Sequence, residues 1–94
     1  MTASGFAPFT HDVLRGQVAT VTGAGGHIGG AIARRLHQLG ATVALVDLRP
    51  DRLHALQHEL IDRTHVLAGD LTFPAEVQRL TGEVVEHYGR VDIL

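Results

Sequence analysis

Short continuous apolar runs alternate along the chain with stretches of helical period. Val18 to Val21 and Thr42 to Asp47 are brief, mostly apolar and rich in β-branched residues. Apart from Thr20 and the bounding Thr42 and Asp47 they are wholly apolar, and they predict strands buried on both faces. Between them Ile28, Ile32, Leu36 and Leu39 recur at helical spacing and predict a helix from about Gly26 to Leu39 with those residues buried. Gly40 stops it. Pro50 suits the first turn of a second helix, where its missing N–H would be unpaired in any case, and Asp51 adds a favourable charge there. Leu53, Leu56 and Leu60 give that helix its buried face, and it ends near Arg63. A third strand covers His65 to Gly69, closed by Asp70. Thr72 and Pro74 open a third helix with Val77, Leu80, Val84 and Tyr88 on one side, and Gly89 ends it. Val91 to Leu94 begins a fourth strand.

Strand and helix therefore alternate, β-α-β-α-β-α-β, with short loops. This order predicts an α/β fold with a parallel sheet and right-handed crossovers. In the doubly wound, Rossmann-like form the strands lie 3-2-1-4, and ligands bind where the order reverses. Residues 1–15 read as a leader, and residues 16–94 as an incomplete dinucleotide-binding domain truncated after the start of strand 4. The first two helices should cover one face of the sheet and the third the other face alone. Apolar side chains on that second face should stay partly open, so the 94 residues by themselves should associate or aggregate.

The junction of the first strand and helix carries the chemistry. Four glycines, Gly23, Gly25, Gly26 and Gly29, fall within seven residues. A glycine turn between strand and helix presents backbone N–H groups, and the helix start adds partial positive charge, so the arrangement can hold a phosphate. Asp47 ends the second strand 24 residues after Gly23, near the spacing at which a carboxylate meets the ribose of a bound dinucleotide. The plainer alternative is a glycine-rich turn with a loop acid nearby.

Composition narrows the field without choosing within it. Hydrophobic residues make up 45% and charged residues 19% of the chain, and the net charge is −2. Nothing points to nucleic acid or an anionic membrane surface. There is no cysteine, no apolar run of transmembrane length and no secretory signal pattern, so a cytoplasmic location is the default. His54 and His58 share a helix face away from the leucine stripe, without a further ligand pattern, and read as solvated residues with no metal site.

Taken together, these residues resemble the short-chain dehydrogenases/reductases. Thr22-Gly-Ala-Gly-Gly-His-Ile-Gly29 is similar to that family's Thr-Gly-x-x-x-Gly-x-Gly turn, and Leu39 to Asp47 to its second strand. Gly69-Asp-Leu-Thr72 resembles the segment placed against adenine, and Gly89 to Leu94 the run into its fourth strand. The likeness covers about Leu14 to Leu94. His27 departs from it, standing where the single-domain branch has its middle glycine. The spacing Gly23-x-x-Gly26-x-x-Gly29 fits the extended branch of sugar-nucleotide epimerases and dehydratases, which stays as an alternative. A non-catalytic nucleotide-binding module is another.

The resemblance implies roles. Gly23, Gly26 and Gly29 shape the turn, and the backbone at Ile28 meets the pyrophosphate. His27 either hydrogen-bonds a phosphate or ribose or stands in solvent. Asp47, with Leu48 beside it, takes the adenosine ribose, and Asp70 and Leu71 the adenine; alternatively Asp70 only stabilises the next helix start. Asp47 and the absence of a basic residue at Gly26 favour NAD over NADP. Arg49 is either a loop charge or a hold for a 2′-phosphate. The family's acid/base chemistry uses Tyr-x-x-x-Lys with a serine. This chain has no lysine, its one tyrosine is Tyr88, and its one serine is Ser4. The catalytic residues are therefore expected beyond Leu94, and these 94 residues alone are expected to be inactive. Hydride transfer between NAD(H) and an alcohol or carbonyl substrate, and a homo-oligomeric state, are expectations for the full-length protein.

Overall fold

The computed structural model describes residues 13–89. Three strands, β1 (Val18–Thr22), β2 (Thr42–Asp47) and β3 (Thr64–Ala68), alternate with three helices, α1 (His27–Gln38), α2 (Pro50–Leu60) and α3 (Pro74–Tyr88). The sheet order is β1-β2-β3 and both pairings are parallel. Val18 lies opposite Thr42, and Val43 opposite Thr64. This is the Rossmann-like 3-2-1 order expected from the alternation. The expected fourth strand, Val91 to Leu94, lies outside the described residues.

Each face of the sheet has its own core. Ala19, Val21, Val43 and Leu45 point to one side and pack with Ala33 of α1 and Leu53 and Leu56 of α2. Val18, Ala44, Val46 and Leu67 point to the other side and, among the described residues, pack with Leu80 and Val84 of α3, with half-buried Tyr88 against them. Period-2 alternation in β2 thus feeds both layers, which is why its sequence is apolar throughout. On the α3 side a cleft of about 580 Å³ runs between β1 and the helix, lined by Thr20, Thr22, Leu71, Val77 and Thr81 among others. The Thr20 hydroxyl is buried there with no hydrogen-bond partner among the described residues. No helix among the described residues is long and apolar enough to cross a membrane.

Three details differ from the sequence expectation. The buried face of α1 is not the isoleucine stripe: Ile28 is 79% and Ile32 49% exposed. Gly30 and Ala33 are the residues α1 buries. Small residues allow the helix backbone to lie directly on the sheet, which turns the branched side chains outward. Val77, expected in the α3 core, is likewise exposed at the mouth of the cleft. Finally, α2 stops at Leu60 rather than near Arg63. Ile61 adopts φ 75°, ψ −56°, and the Asp62 N–H donates to the Leu60 carbonyl at 2.9 Å. That i-to-i+2 bond closes a γ-turn of the strained hand, which helical geometry cannot continue. Arg63 follows with φ 55°, and its guanidinium donates to the carbonyls of His37 and Ala41, at 3.3 and 2.7 Å. The His37 carbonyl in the last turn of α1 thereby gains a side-chain donor.

Candidate dinucleotide site

Parallel strands bring all their carboxyl ends to one edge of the sheet. The turn after β1, Asp47 and Leu48 at the end of β2, and Asp70 and Leu71 after β3 all gather along that edge. This is the location at which open α/β sheets bind ligands.

The turn is built from positions a side chain would spoil. Gly23 has φ 67°, where an L side chain is strained. Its carbonyl accepts the Gly26 N–H at 3.0 Å, closing the turn. A Cβ on Gly29 would overlap the Gly23 carbonyl oxygen and stand 2.6 Å from the carbonyl carbon. The start of α1 therefore lies directly against the turn. Gly26 is the N-cap, at φ −90° and ψ 176°, with no capping side chain and no acid in the first turn. The N–H groups of His27, Ile28 and Gly29 have no carbonyl four residues back inside the helix. An anion at this point would meet those donors and the positive end of the helix dipole.

His27 occupies the first position of α1, exposed, with a backbone outside the left-handed region. Helical dihedrals and an outward side chain explain why histidine fits where the single-domain pattern has glycine. The Ile28 side chain also faces outward, so the expectation that it is core is not met.

Asp47 joins the loops of this edge. Its carboxylate Oδ2 accepts the Gly25 N–H at 2.8 Å. Oδ1 accepts the Leu48 N–H at 2.6 Å and the Arg49 N–H at 3.3 Å, and Arg49 Nε lies 3.5 Å away. The Asp47 carbonyl in turn accepts the Gly69 N–H at 3.0 Å. The residue is only 9% exposed. Burial opposes its charged form, but the Gly25 N–H, the Arg49 side chain and the Arg49 and Leu48 N–H groups outweigh it, holding the carboxyl below the usual range. The Arg49 side chain, about half exposed, leans on Asp47.

Asp70 is tied into its own loop. Its Oδ1 accepts the Thr72 hydroxyl at 2.6 Å and the Thr72 N–H at 2.9 Å. Those bonds lower its carboxyl below the usual range, the hydroxyl contributing most. Leu48 and Leu71 expose their side chains at the same edge. Tyr88 lies elsewhere. It sits at the far end of α3, its ring edge-on to His65 at the beginning of β3, with ring centroids 5.9 Å apart. It thus belongs to the opposite edge of the sheet, and burial raises its phenol pKa. His54 and His58 are exposed on α2.

Two partners escaped the sequence reading: Gly25, which was counted in the cluster but given no role, and Arg49 as a ligand of Asp47. The 22-residue separation of Gly25 from Asp47 was available, but spacing alone does not say which turn N–H a carboxylate will reach.

The turn and the acid thus lie together at the edge where open α/β sheets bind ligands. The family model described as short chain dehydrogenase matches residues 17–94. An uncharacterized oxidoreductase of Staphylococcus epidermidis is 35% identical over 81 residues, covering 86% of this chain and 35% of that protein. A metagenomic short-chain oxidoreductase solved in complex with NADP superposes with a TM-score of 0.83 at 38% identity, over 86% of this chain and 38% of that one. The 3-ketoacyl-(acyl-carrier-protein) reductase of Brucella melitensis, complexed with NADH, gives 0.81 at 32% identity, over 84% and 32% of the two chains. The chain spans about a third of the length of these relatives. With a match over nearly its whole length, this chain belongs to the short-chain dehydrogenase family of oxidoreductases, whose fold binds a nicotinamide dinucleotide.

Proposed function

We propose that these residues form the dinucleotide-binding part of an NAD-dependent short-chain dehydrogenase/reductase. One observation carries the preference for NAD: a nearly buried, ionised carboxylate at the end of β2, turned toward the glycine turn. Gly23, Gly26 and Gly29 shape the phosphate turn. The N–H groups of His27, Ile28 and Gly29 receive the pyrophosphate, with the His27 ring beside it. Asp47 and Leu48 take the adenosine ribose, and Asp70 and Leu71 border the adenine. A 2′-phosphate placed against Asp47 would meet repulsion and desolvation worth several kcal/mol, an order-of-magnitude figure.

The bound dinucleotide supplies the hydride acceptor or donor; the residues present bind and orient its adenosine diphosphate end. No lysine stands in this sequence, Ser4 lies outside the family match over residues 17–94, and Tyr88 belongs to the wrong edge of the sheet. The acid/base group of the full-length protein accordingly lies beyond Leu94, in the remainder of the domain that residues 16–94 begin. The full-length protein acts on an alcohol or carbonyl substrate as a cytoplasmic homo-oligomer.

Titrating the protein with NADH and with NADPH, followed by nicotinamide fluorescence or calorimetry, tests the reading. NADH should bind more tightly, and no turnover should accompany it. Equal or tighter NADPH binding refutes the NAD assignment. Turnover by the 94 residues refutes the placement of the acid/base group.

A further inference from the structure

The Asp47 carboxylate is almost fully engaged within the protein. A carboxylate offers about four lone-pair directions, two on each oxygen. Three donors crowd Oδ1: the Leu48 N–H, the Arg49 N–H and Arg49 Nε. Oδ2 accepts the Gly25 N–H and keeps one direction open. Gly25 is shaped for this contact, since a Cβ there would stand 2.8 Å from Oδ2 and 3.0 Å from the Arg52 Cβ. The missing side chain of Gly25 and the carboxylate of Asp47 are one fitted pair. The adjacent main chain reinforces it, with the Ala24 N–H donating to the Val46 carbonyl at 3.0 Å. Gly25 lies between the turn residue Gly23 and the helix cap Gly26, so this contact anchors the middle of the phosphate turn to β2.

We propose that Asp47 is a positioning residue for the phosphate turn, holding the Gly25 N–H through Oδ2, so that both NAD and NADP depend on it for their phosphate contacts. The proposal rests on reading residues 23–29 as the pyrophosphate site. It reverses the sign of one outcome. An acid that acted on the ribose alone would, once removed, relieve the repulsion of a 2′-phosphate and let NADPH bind more tightly. An acid that also holds the turn takes phosphate contacts away from both cofactors when it is lost.

Asp47→Asn separates the two roles. Three donors near Oδ1 keep the amide oxygen on that side, which leaves the amide NH₂ facing the Gly25 N–H, donor against donor. The amide exchange rate of Gly25, read by NMR without cofactor, should rise roughly ten-fold or more, as expected for a lost charge-assisted bond. Amides of Leu45 and Leu53 in the core should exchange at the parental rate. NADH and NADPH should both bind more weakly. Gly25→Ala should do the same from the other side of the contact, and the double variant should add little to either single one. Parental Gly25 exchange in Asp47→Asn, or tighter NADPH binding, overturns the proposal. A parent protein that binds neither cofactor would instead refute the dinucleotide site, while the cofactor-free exchange measurement still decides whether Asp47 holds the turn.

Discussion

Replacing Gly29 by alanine should destabilise the protein even though alanine is the better helix former. Position 29 is inside α1, and glycine to alanine in a helix ordinarily gains about 0.5–1 kcal/mol. Here the added Cβ would overlap the Gly23 carbonyl oxygen, at 2.6 Å from its carbon and 3.1 Å from Ala24 N. Restoring ordinary contact requires the helix start and the turn to part by about 1 Å, which a closely packed interior resists. Neither side yields easily. The Gly23 carbonyl is bonded to the Gly26 N–H, and α1 is seated on the sheet through fully buried Ala33. Overpacking of this kind costs about 1–3 kcal/mol. Offset by the helix gain, the net loss centres on about 1 kcal/mol, and each kcal/mol lowers Tm by about 4–8 °C for a domain of this size. Gly82 is the matched control. It lies mid-helix in α3, and a Cβ there would meet nothing within 4 Å. Gly82→Ala should therefore raise stability by about 0.5–1 kcal/mol. Thermal and urea melts of the two variants, followed by far-UV circular dichroism, give the comparison. A Gly29→Ala protein that melts at or above the parent refutes the close approach of turn and helix, and with it the argument for the phosphate site.

Two further outcomes follow from the geometry. Ile61→Gly should raise Tm by several degrees: the γ-turn dihedrals cost an isoleucine roughly 1–3 kcal/mol, glycine's extra chain entropy takes back about 0.5–1, and the side chain is 85% exposed, so little burial is lost. A lower Tm would show that the turn is not strained. Acid should destabilise the parent more steeply than Asp47→Asn. A carboxyl held below its ordinary value stabilises the fold fully above that value and loses its contribution as pH falls through the folded-state value, here below about pH 4. Urea midpoints of the two proteins, compared from pH 6 downward, should converge in acid, and a constant separation would refute the charged, hydrogen-bonded state of Asp47.

The strands and the glycine stops were legible because they rest on strong local signals. β2 is an unbroken apolar run ending in an acid, and Gly40 and Gly89 take up positive φ at the helix ends. The same reasoning misplaced the buried face of α1. It gave weight to Ile28 and Ile32 for their hydrophobicity, whereas the contact is decided by how near two backbones can come, and that favours Gly29, Gly30 and Ala33. The end of α2 was misjudged because isoleucine and arginine are not residues from which positive φ is expected. That Asp47 and Asp70 stand at the ends of strands could be read from the alternation of strands and helices. The contact between Gly25 and Asp47 could not, since it depends on the angle at which the turn folds back over β2.

The core behind the glycine turn has a bearing on synthesis at the ribosome. Its fully buried members run from Ala19 to Leu56, and the half-buried residues around it reach only to Ala68. Strand partners lie close in sequence, as with Val18 and Thr42 or Val43 and Thr64, so each pairing closes a short loop at modest entropic cost. Every hydrogen bond that Asp47 makes is complete once Gly69 has been added. The glycine turn can therefore take shape on a nascent chain before α3 emerges to shield the opposite face. Until then Ala44, Val46 and Leu67 on that face are the surface a chaperone would meet.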